Sequence, residues 1–359
     1  MKIFICIPTL QIAGAERFVT ELAINLKKMD IDISVIVTRK ISKTDFYKEL
    51  IENNVKIYDV SANNYVKTYI NIIKLLKQEK PNIIHTNVGA MLHMLFPTIF
   101  YRKVKHLFTV HSMGYRIFTG VKKTIAEVFF RINIVQPVAI CDIVKKSICD
   151  SYRLKSENVF CIYNGVDTNK FSAINKENTE KVTFITVGTL YEIKNQKMII
   201  DAFQLVKKEH NNIELIIVGE GPQKSYLENM VSKYNLNSYV KFLGRQKDVK
   251  KYLDKADIYL CSSKVEGLPL AVMEAMSMEL PIITTPAGGV KDIVKNEENG
   301  IIISHDDYEA MAVAMCNLIK NKVLREQMGK KSREIAKQHD VTICAKEYLN
   351  LYKSVLEQK

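Results

Sequence analysis

Along the chain, short apolar runs typical of buried strands alternate with segments in which apolar residues recur at helical spacing. Lys2 to Ile7 is a nearly continuous apolar run, typical of a buried β-strand. From Ala15 to Leu26 the apolar residues recur at helical spacing, which predicts an amphipathic helix. The same alternation continues, with further strands predicted at 33–37, 55–60, 82–87, 106–112 and 135–140 and further helices at about 66–79 and from about 142.

The second half of the chain repeats this scheme. Buried strands are predicted for VTFITVG (182–188), IELIIVG (213–219), VKFLG (240–244), DIYLCSS (257–263) and PIITTPAG (281–288), with a helix at 194–210 between the first two. Strands that alternate with helices predict parallel sheets covered by helices on both faces. The fold class is therefore α/β.

A chain of 359 residues exceeds the usual size of one domain. We predict two Rossmann-like domains, residues 1–171 and 182–340, joined by the polar segment 172–181. Ligands of open parallel sheets bind beyond the carboxyl ends of the strands. Two such domains that face each other would hold a ligand in the cleft between them, so chemistry is expected on the loops that follow the strands.

Composition and cysteine usage fit a cytoplasmic protein. The chain is 47% hydrophobic and 25% charged, and its seven cysteines contain no C-x-x-C pair, which favours reduced thiols over disulfides or a zinc site. The N-terminal segment resembles a short signal peptide, but Pro8, Thr9 and Gln11 interrupt it, so we interpret it as a strand. No apolar run reaches the length of about 18 residues that a membrane span needs.

Positive charge is concentrated in the first half, where residues 1–168 hold 24 Lys+Arg and 14 Asp+Glu. Seven basic residues and a single acidic one, Glu127, lie within 101–131, next to the apolar stretch MLHMLFPTIF (91–100). This combination favours contact with an anionic lipid surface. The alternative is an ordinary solvated face. Nucleic acid is disfavoured, because the region has little aromatic interleaving and no binding motif.

The segment SSKVEGLPLAVMEAM (262–276) carries two glutamates in a largely apolar setting. Glu266 lies on the loop after a predicted strand, and Glu274 lies about one turn inside the helix that follows. An ionised carboxylate among apolar residues needs water or a hydrogen-bond donor, and the two hydroxyls of a ribose could supply donors. Alternatively, Glu274 lies on one water-facing stripe of a buried helix, beside Ser277. The helix-start amides near Gly267 and Leu270 could hold a phosphate.

Other loops offer weaker candidates. Lys194 lies where a helix begins after the strand 182–188, and a cation there is unfavourable unless an anion binds. Gly14 opens the first helix and would let a ligand approach the backbone. His111 and His85 end predicted strands, although a lone histidine is more often structural. The motifs of Walker NTPases, serine hydrolases, zinc proteases and nicotinamide dehydrogenases are absent from the sequence.

Taken together, these motifs resemble the family 4 retaining glycosyltransferases of the GT-B fold, over nearly the whole chain. The resemblance is carried by AGAERFV (13–19), VHSMG (110–114), YNGVD with Phe171, VGTLYEIKNQ (187–196), IIVGEGP (216–222), VKFLG and the stretch 262–289. The stretch 262–289, with two glutamates separated by seven residues, is the family's most specific signature.

The resemblance implies a donor site. Glu274 would bind the donor ribose, Glu266 would orient the donor sugar, and Lys194 would neutralise the diphosphate. His111 would lie close to the transferred sugar. The loop and helix start would face the sugar and diphosphate, and Gly14 would let the first helix approach the diphosphate; the loop and helix-start residues implied are Gly267, Leu268 and Leu270.

The resemblance also implies how the work is divided between the domains. The first would bind the acceptor and the second a nucleotide sugar, with UDP as the expected carrier. The final helix, about 341–359, would pack back on the first domain. The expected acceptor is a lipid-linked glycan of a bacterial surface polysaccharide, used at the cytoplasmic membrane face by a peripheral enzyme. The resemblance implies no metal and no other cofactor.

Two positions depart from the family pattern. Ala13-Gly14 stands where a pair of glycines is common, and Thr189 stands where an arginine often helps to hold the diphosphate. Arg245 is a candidate replacement for that arginine. Two alternative functions remain open from the sequence: a nucleotide-sugar epimerase of the same fold, and a non-catalytic sugar-binding protein.

Overall fold

The structure is a computed structural model that describes residues 1–11, 13–41, 43–101, 103–173 and 181–357. The chain divides into two compact units. The first comprises Met1–Gly165 and the chain from Val341 onward, and the second comprises Val166–Asp340. Most of the segment predicted as a linker, 172–181, falls outside the described residues.

The division falls at Gly165, ahead of the boundary predicted at residue 171. The segment that starts at Val166 is hydrogen-bonded to the end of the second unit, because the Val166 amide donates to the His339 carbonyl at 3.0 Å. The Thr168 hydroxyl likewise donates to the Asp340 carboxylate at 2.5 Å. These bonds attach 166–171 to the second unit, a long-range pairing that local sequence does not reveal.

The first unit is built on a seven-stranded parallel sheet in the order β3-β2-β1-β4-β5-β6-β7. The strands are β1 Lys2–Ile7, β2 Asp32–Val37, β3 Lys56–Asp59, β4 Ile83–Asn87, β5 Lys105–Val110, β6 Val135–Ala139 and β7 Phe160–Cys161. The helices are α1 Gly14–Lys28, α2 Asp45–Glu52, α3 Tyr65–Glu79, α4 Ala90–Phe100, α5 Gly114–Ile117, α6 Gly120–Arg131 and α7 Asp142–Tyr152.

The second unit contains a six-stranded parallel sheet in the order β10-β9-β8-β11-β12-β13. Its strands are β8 Val182–Val187, β9 Ile213–Val218, β10 Val240–Phe242, β11 Ile258–Cys261, β12 Ile282–Thr284 and β13 Gly300–Ile302. Its helices are α8 Gln196–Glu209, α9 Lys224–Lys233, α10 Lys250–Leu253, α11 Leu270–Ser277, α12 Val290–Ile293, α13 Tyr308–Lys320 and α14 Lys322–Gln338. The predicted α/β class with two parallel sheets is confirmed.

The last helix, α15 (Val341–Glu357), belongs to the first unit. Its apolar face joins the core between the sheet and α1, where the Tyr348 ring lies 5.6 Å from that of Phe18. His85 is fully buried inside β4 and is hydrogen-bonded to Tyr352 at 2.7 Å and to Thr109 at 2.6 Å. The structural interpretation of His85 is therefore correct, and its partners on α15 explain why a polar ring occupies the core.

Strand order locates the switch point of the second sheet. Successive strands from β8 run outward to β10 on one side, and those from β11 run outward to β13 on the other. Adjacent β8 and β11 thus send their following loops in opposite directions, which opens a crevice at their carboxyl ends. The corresponding pair in the first sheet is β1 and β4.

Candidate active site

The loops after β8 and β11 meet at the switch point of the second sheet. The Lys194 ammonium, on the first loop, donates a hydrogen bond to Glu266 Oε1 on the second. Ser263 Oγ donates to the same carboxylate oxygen at 2.6 Å. The Lys194 and Glu266 side chains are 26% and 12% exposed, so both reach solvent only in part. The structure thus brings two predicted site residues into direct contact.

Backbone contacts hold these two loops together. The Lys264 amide donates to the Ile193 carbonyl at 2.8 Å. Ser262 Oγ lies 2.9 Å from the Lys194 carbonyl and 2.8 Å from that of Asn195, so one hydroxyl bridges the turn. Because these bonds do not involve the Lys194 or Glu266 side chain, the scaffold as well as the ion pair sets the positions of both residues.

Lys194 does not begin the helix as the sequence pattern predicts. It ends a short 3-10 turn, and α8 begins two residues later, at Gln196. The intervening Asn195 has a left-handed backbone with φ of 51°, a conformation that asparagine tolerates better than most residues. The ammonium therefore lies just before the helix start, where Glu266 neutralises it.

Glu274 lies inside α11 and is only 7% exposed, so the alternative of a water-facing stripe is wrong. Ser277, the other predicted member of that stripe, is fully buried and donates to the Phe171 carbonyl at 2.6 Å. Arg333 Nη1 donates to Ser277 Oγ at 2.8 Å, which fixes the end of the helix. Pro269 occupies the cap position of α11, and no side chain caps the start of this helix.

The loop between Glu266 and α11 rests on the turn that follows β12. Gly288 has φ of +56°, and a Cβ atom there would lie 2.0 Å from the Glu266 carbonyl oxygen. The next amide, of Gly289, donates to the Gly267 carbonyl at 2.7 Å. Leu268 is buried at 4% exposure and so anchors the loop, whereas Leu270 opens the helix. A residue larger than glycine at 288 would displace the loop that carries Glu266.

Two residues near the site were missed by the sequence reasoning. Ser263 lies three positions before Glu266 in the same motif, and that proximity could have suggested the hydrogen bond. Tyr259 is buried in β11 and donates to the Val187 carbonyl at 3.1 Å. Burial raises the pKa of its phenol well above the usual value, and the nearby negative charges of Glu274 and Glu266 contribute further. Tyr259 is thus a neutral hydrogen-bond donor beneath the site.

Arg245 is exposed on the loop after β10, at the same edge of the sheet. β9 separates β10 from β8, so Arg245 follows a strand about 10 Å from the one that precedes Lys194. Thr189 is exposed, and its carbonyl accepts a hydrogen bond from Gln196 Nε2 at 3.1 Å. The role of Arg245 as a replacement cation therefore remains a prediction.

In the first unit, Gly14 lies after β1 and His111 lies after β5, with β4 between these two strands. Gly14 opens α1, and a Cβ atom built on it would meet no atom within 4 Å, so packing within the protein does not require a glycine there. The Nε2 atom of His111 is 2.8 Å from Asn87 Oδ1, and its ring lies 4.9 Å from that of Phe18. Burial lowers the pKa of His111 to about 3, so the ring is neutral.

Comparison with known proteins identifies the family. Residues 12–170 match the model described as Glycosyltransferase Family 4, and residues 167–335 match Glycosyl transferases group 1. The chain belongs to the family 4 type of glycosyltransferases. This transferase assignment confirms the resemblance drawn from the sequence, and it supports neither the epimerase nor the non-catalytic binding protein.

Relatives of this glycosyltransferase cover most of its length. It is 27% identical to an uncharacterized glycosyltransferase of Haemophilus influenzae, over 93% of this chain and 95% of the relative. It is also 27% identical to a UDP-Gal:alpha-D-GlcNAc-diphosphoundecaprenol alpha-1,3-galactosyltransferase of Escherichia coli, over 87% of this chain and 86% of that enzyme.

A solved structure supports the GT-B fold of this glycosyltransferase. Anabaena HepE in complex with UDP and glucose superposes with a TM-score of 0.86 at 17% identity, covering 99% of this chain and 100% of that one. Among the helices of the described residues, none is both long and apolar enough to cross a membrane.

Proposed function

We propose that this glycosyltransferase transfers a hexose or N-acetylhexosamine from a UDP-sugar to a lipid-linked glycan, with retention of anomeric configuration. The observation that carries the proposal is the Lys194–Glu266 ion pair at the switch point of the second sheet, beside a helix that buries Glu274. Switch-point crevices bind nucleotides in open α/β sheets.

The donor would be held by a carboxylate at its ribose and by an ammonium and backbone amides at its diphosphate. The buried Glu274 carboxylate accepts hydrogen bonds from the ribose hydroxyls. The uncapped amides at the start of α11 and the Lys194 ammonium then receive the diphosphate. Arrival of the diphosphate gives Lys194 a second anionic partner and frees Glu266 to accept hydrogen bonds from the donor sugar, while Ser263 keeps that carboxylate in position.

Gly14 and His111 are the residues of the first unit that we propose to contact the substrates. The open space around Gly14 lets the diphosphate approach the amides at the start of α1. His111 is neutral, so the Nε2 atom bonded to the Asn87 oxygen carries the proton and Nδ1 is an acceptor. Nδ1 is thus suited to a sugar hydroxyl, and the ring does not supply a cation.

Retention would follow from attack on the same face that the leaving group vacates. As the diphosphate departs, the anomeric carbon becomes oxocarbenium-like and negative charge grows on the phosphate. Lys194 and the helix amides stabilise that charge, which is the largest catalytic contribution expected here. The departing phosphate oxygen takes the proton of the acceptor hydroxyl. One ammonium and a set of amide dipoles thus take the part that a metal ion plays in other diphosphate sites.

The choice of UDP and of a lipid-linked acceptor is supported by relatives. The Escherichia coli relative is named for a UDP-galactose donor and a diphosphoundecaprenol acceptor, and HepE was crystallised with UDP and glucose. By analogy, this enzyme would act in the synthesis of a cell-surface polysaccharide. The base and the sugar are the parts of the proposal that a binding experiment can decide directly.

A membrane contact would bring the enzyme to its acceptor at the cytoplasmic face. The side chains of Phe100 and Val121, on the first unit, are 78% and 76% exposed, so two large apolar groups face the solvent there. The exposed basic side chains of Lys122 and Arg131 follow on α6. Arg102, another basic residue of this stretch, lies outside the described residues. Exposed apolar and basic groups together suit peripheral binding to anionic lipid.

Calorimetric titration without metal tests the donor site. We expect UDP or a UDP-sugar to bind the unmodified chain with micromolar affinity, about −8 kcal/mol, and Glu274→Gln to weaken it at least 10-fold. The control is Glu228→Gln, on α9 outside the candidate site. Equal binding of UDP by the wild type and Glu274→Gln would contradict the ribose assignment. Retention is tested separately, by determining the anomeric configuration of the product by NMR.

A further inference from the structure

The C-terminal end of α8 and the middle of α13 bring three metal-ligating side chains together. Glu209 ends α8, His210 follows it, and Cys316 lies on α13, which packs beside α8. One ligand atom from each of the three lies within 4.8 Å of the other two. Within the described residues this is the one group of three or more such side chains so arranged. Cys316 is distant in sequence, so the cysteine spacing gave no sign of it.

One ring nitrogen of His210 is buried and has no hydrogen-bond partner. Its Nε2 atom is inaccessible to water and makes no hydrogen bond, one of four such side-chain atoms in the described part of the chain. A buried polar atom without a partner costs free energy, and such atoms are uncommon in folded proteins. The lone pair of a neutral imidazole nitrogen is also the commonest metal-ligand group in proteins.

The neighbouring groups complete a mixed ligand set. Cys316 is partly buried and is a free thiol. The carboxylate of Glu209 is exposed and lies 3.7 Å from the Lys320 ammonium, a surface ion pair that a bound cation would replace. A cation placed among the three would neutralise the carboxylate and convert the thiol to a thiolate.

We propose that Glu209, His210 and Cys316 form a zinc site, with water as the fourth ligand. A set of one oxygen, one nitrogen and one sulfur suits tetrahedral Zn²⁺ and disfavours Mg²⁺ and Ca²⁺, which take oxygen ligands. Binding forms the zinc–sulfur bond and releases the Cys316 proton to solvent, with no change of oxidation state.

The role of this site is to fasten α8 to α13. The 14 residues of α8 span about 20 Å, so the zinc site lies far from the Lys194 end of the helix. The ion therefore contributes to the stability of the second unit and not to sugar transfer. The proposal does not depend on the proposed function.

The test uses the full chain, stripped of metal with a chelator and kept reduced. We expect one Zn²⁺ per chain in competition with a chromophoric chelator, release of about one proton, and a higher Tm with Zn²⁺ present. Co²⁺ in place of Zn²⁺ should give a thiolate-to-metal charge-transfer band. Cys316→Ser and His210→Gln should each weaken binding about 100-fold or more, whereas Cys149→Ser, which alters another partly buried free thiol, should not.

Absence of the charge-transfer band in the unmodified chain would overturn the proposal without reliance on any variant. Zinc affinity equal in wild type, Cys316→Ser and His210→Gln would show adventitious binding and overturn it as well. Nucleotide binding by metal-free Cys316→Ser should match that of the wild type, because the three proposed zinc ligands lie far from the candidate donor site. A failed donor site and a failed zinc site are therefore distinguishable.

Discussion

Lys194 and Glu266 share a hydrogen bond although 72 residues separate them in sequence. The pair exists because β8 and β11 are adjacent in the sheet while their loops come from different parts of the chain. In the unliganded protein the carboxylate neutralises the ammonium. Under the proposed function, the donor diphosphate would compete with Glu266 for this ammonium. The ion pair would then hold Lys194 in position until the donor binds.

Replacing Lys194 with alanine should lower kcat by about 10²–10³, because charge on the leaving diphosphate loses its stabilising cation. The measurement is steady-state transfer from the donor that calorimetry identifies. Lys197→Ala is the matched control, since Lys197 is also ion-paired, with Asp201 at 2.5 Å, but on the side of α8. Equal loss of activity in both variants would indicate a general effect of removing charge rather than a role specific to Lys194.

Gly14→Val should weaken donor binding at least 10-fold and leave stability within about 0.5 kcal/mol of wild type, because nothing in the protein lies near the new side chain. Gly114→Ala is the opposite case. There a Cβ atom would lie 2.5 Å from the Ser147 carbonyl oxygen, so we expect a loss of about 1–3 kcal/mol of stability. Chemical unfolding and calorimetry separate the two effects. Unchanged donor binding in Gly14→Val would show that the diphosphate does not approach α1.

Acid should destabilise the first unit through its buried imidazoles. Burial lowers the pKa of His85 to about 3, with the charges of His111 and His106 contributing, and the pKa values of those two rings are also about 3. Below the usual value of about 6.5 the unfolded chain binds protons that the folded chain does not. Stability is therefore complete above about pH 6.5 and falls as the pH drops towards 3, by about 1.4 kcal/mol per pH unit for each ring.

The pH effect is measured from unfolding free energies between pH 7 and 4.5. His85→Gln removes one of the three rings. The slope of the unfolding free energy against pH should therefore fall by about 1.4 kcal/mol per pH unit, the contribution of one proton. His305→Gln, at an exposed position outside this core, is the control and should leave the slope unchanged. An unchanged slope in His85→Gln would mean that His85 takes up its proton without unfolding.

Vesicle binding tests the membrane contact. The chain should sediment with vesicles that contain anionic lipid, and raising the salt concentration should weaken the binding. Lys122→Ala with Lys123→Ala should reduce partitioning about 30-fold, at about 1 kcal/mol for each lysine. Lys322→Ala with Lys330→Ala, two exposed lysines of the second unit, is the control. No binding at low salt would remove the membrane from the proposed function.

The alternation of apolar runs was enough to predict most of the sheet. β1 has the bounds that its apolar run indicated, and α3 differs from its prediction by about one residue. The two-residue strand β7 and the short strand β13 escaped, because a few residues carry no measurable period. Such short edge strands are formed by pairing with a neighbour, which is tertiary information.

The candidate site was predicted to the level of its loops but not of its contacts. Carboxyl-edge topology places Lys194 and Glu266 at the same edge, yet their hydrogen bond depends on which strands are neighbours. Burial ruled out the water-facing stripe for Glu274. Local sequence could not do so, because Ser277 is covered by Phe171 and Arg333 from distant segments. For the same reason, the partners of His85 on α15 were not foreseen.

The placement of α15 has a consequence for biosynthesis. Phe18 and His85 emerge from the ribosome early, but Tyr348 and Tyr352, which cover them, are translated only after the whole second unit. During synthesis, the surface around Phe18 and His85 therefore stays uncovered until α15 is made, while the second unit can already fold. Completion of residues 1–165 is therefore not enough to close the N-terminal core, because α15 must also be synthesised.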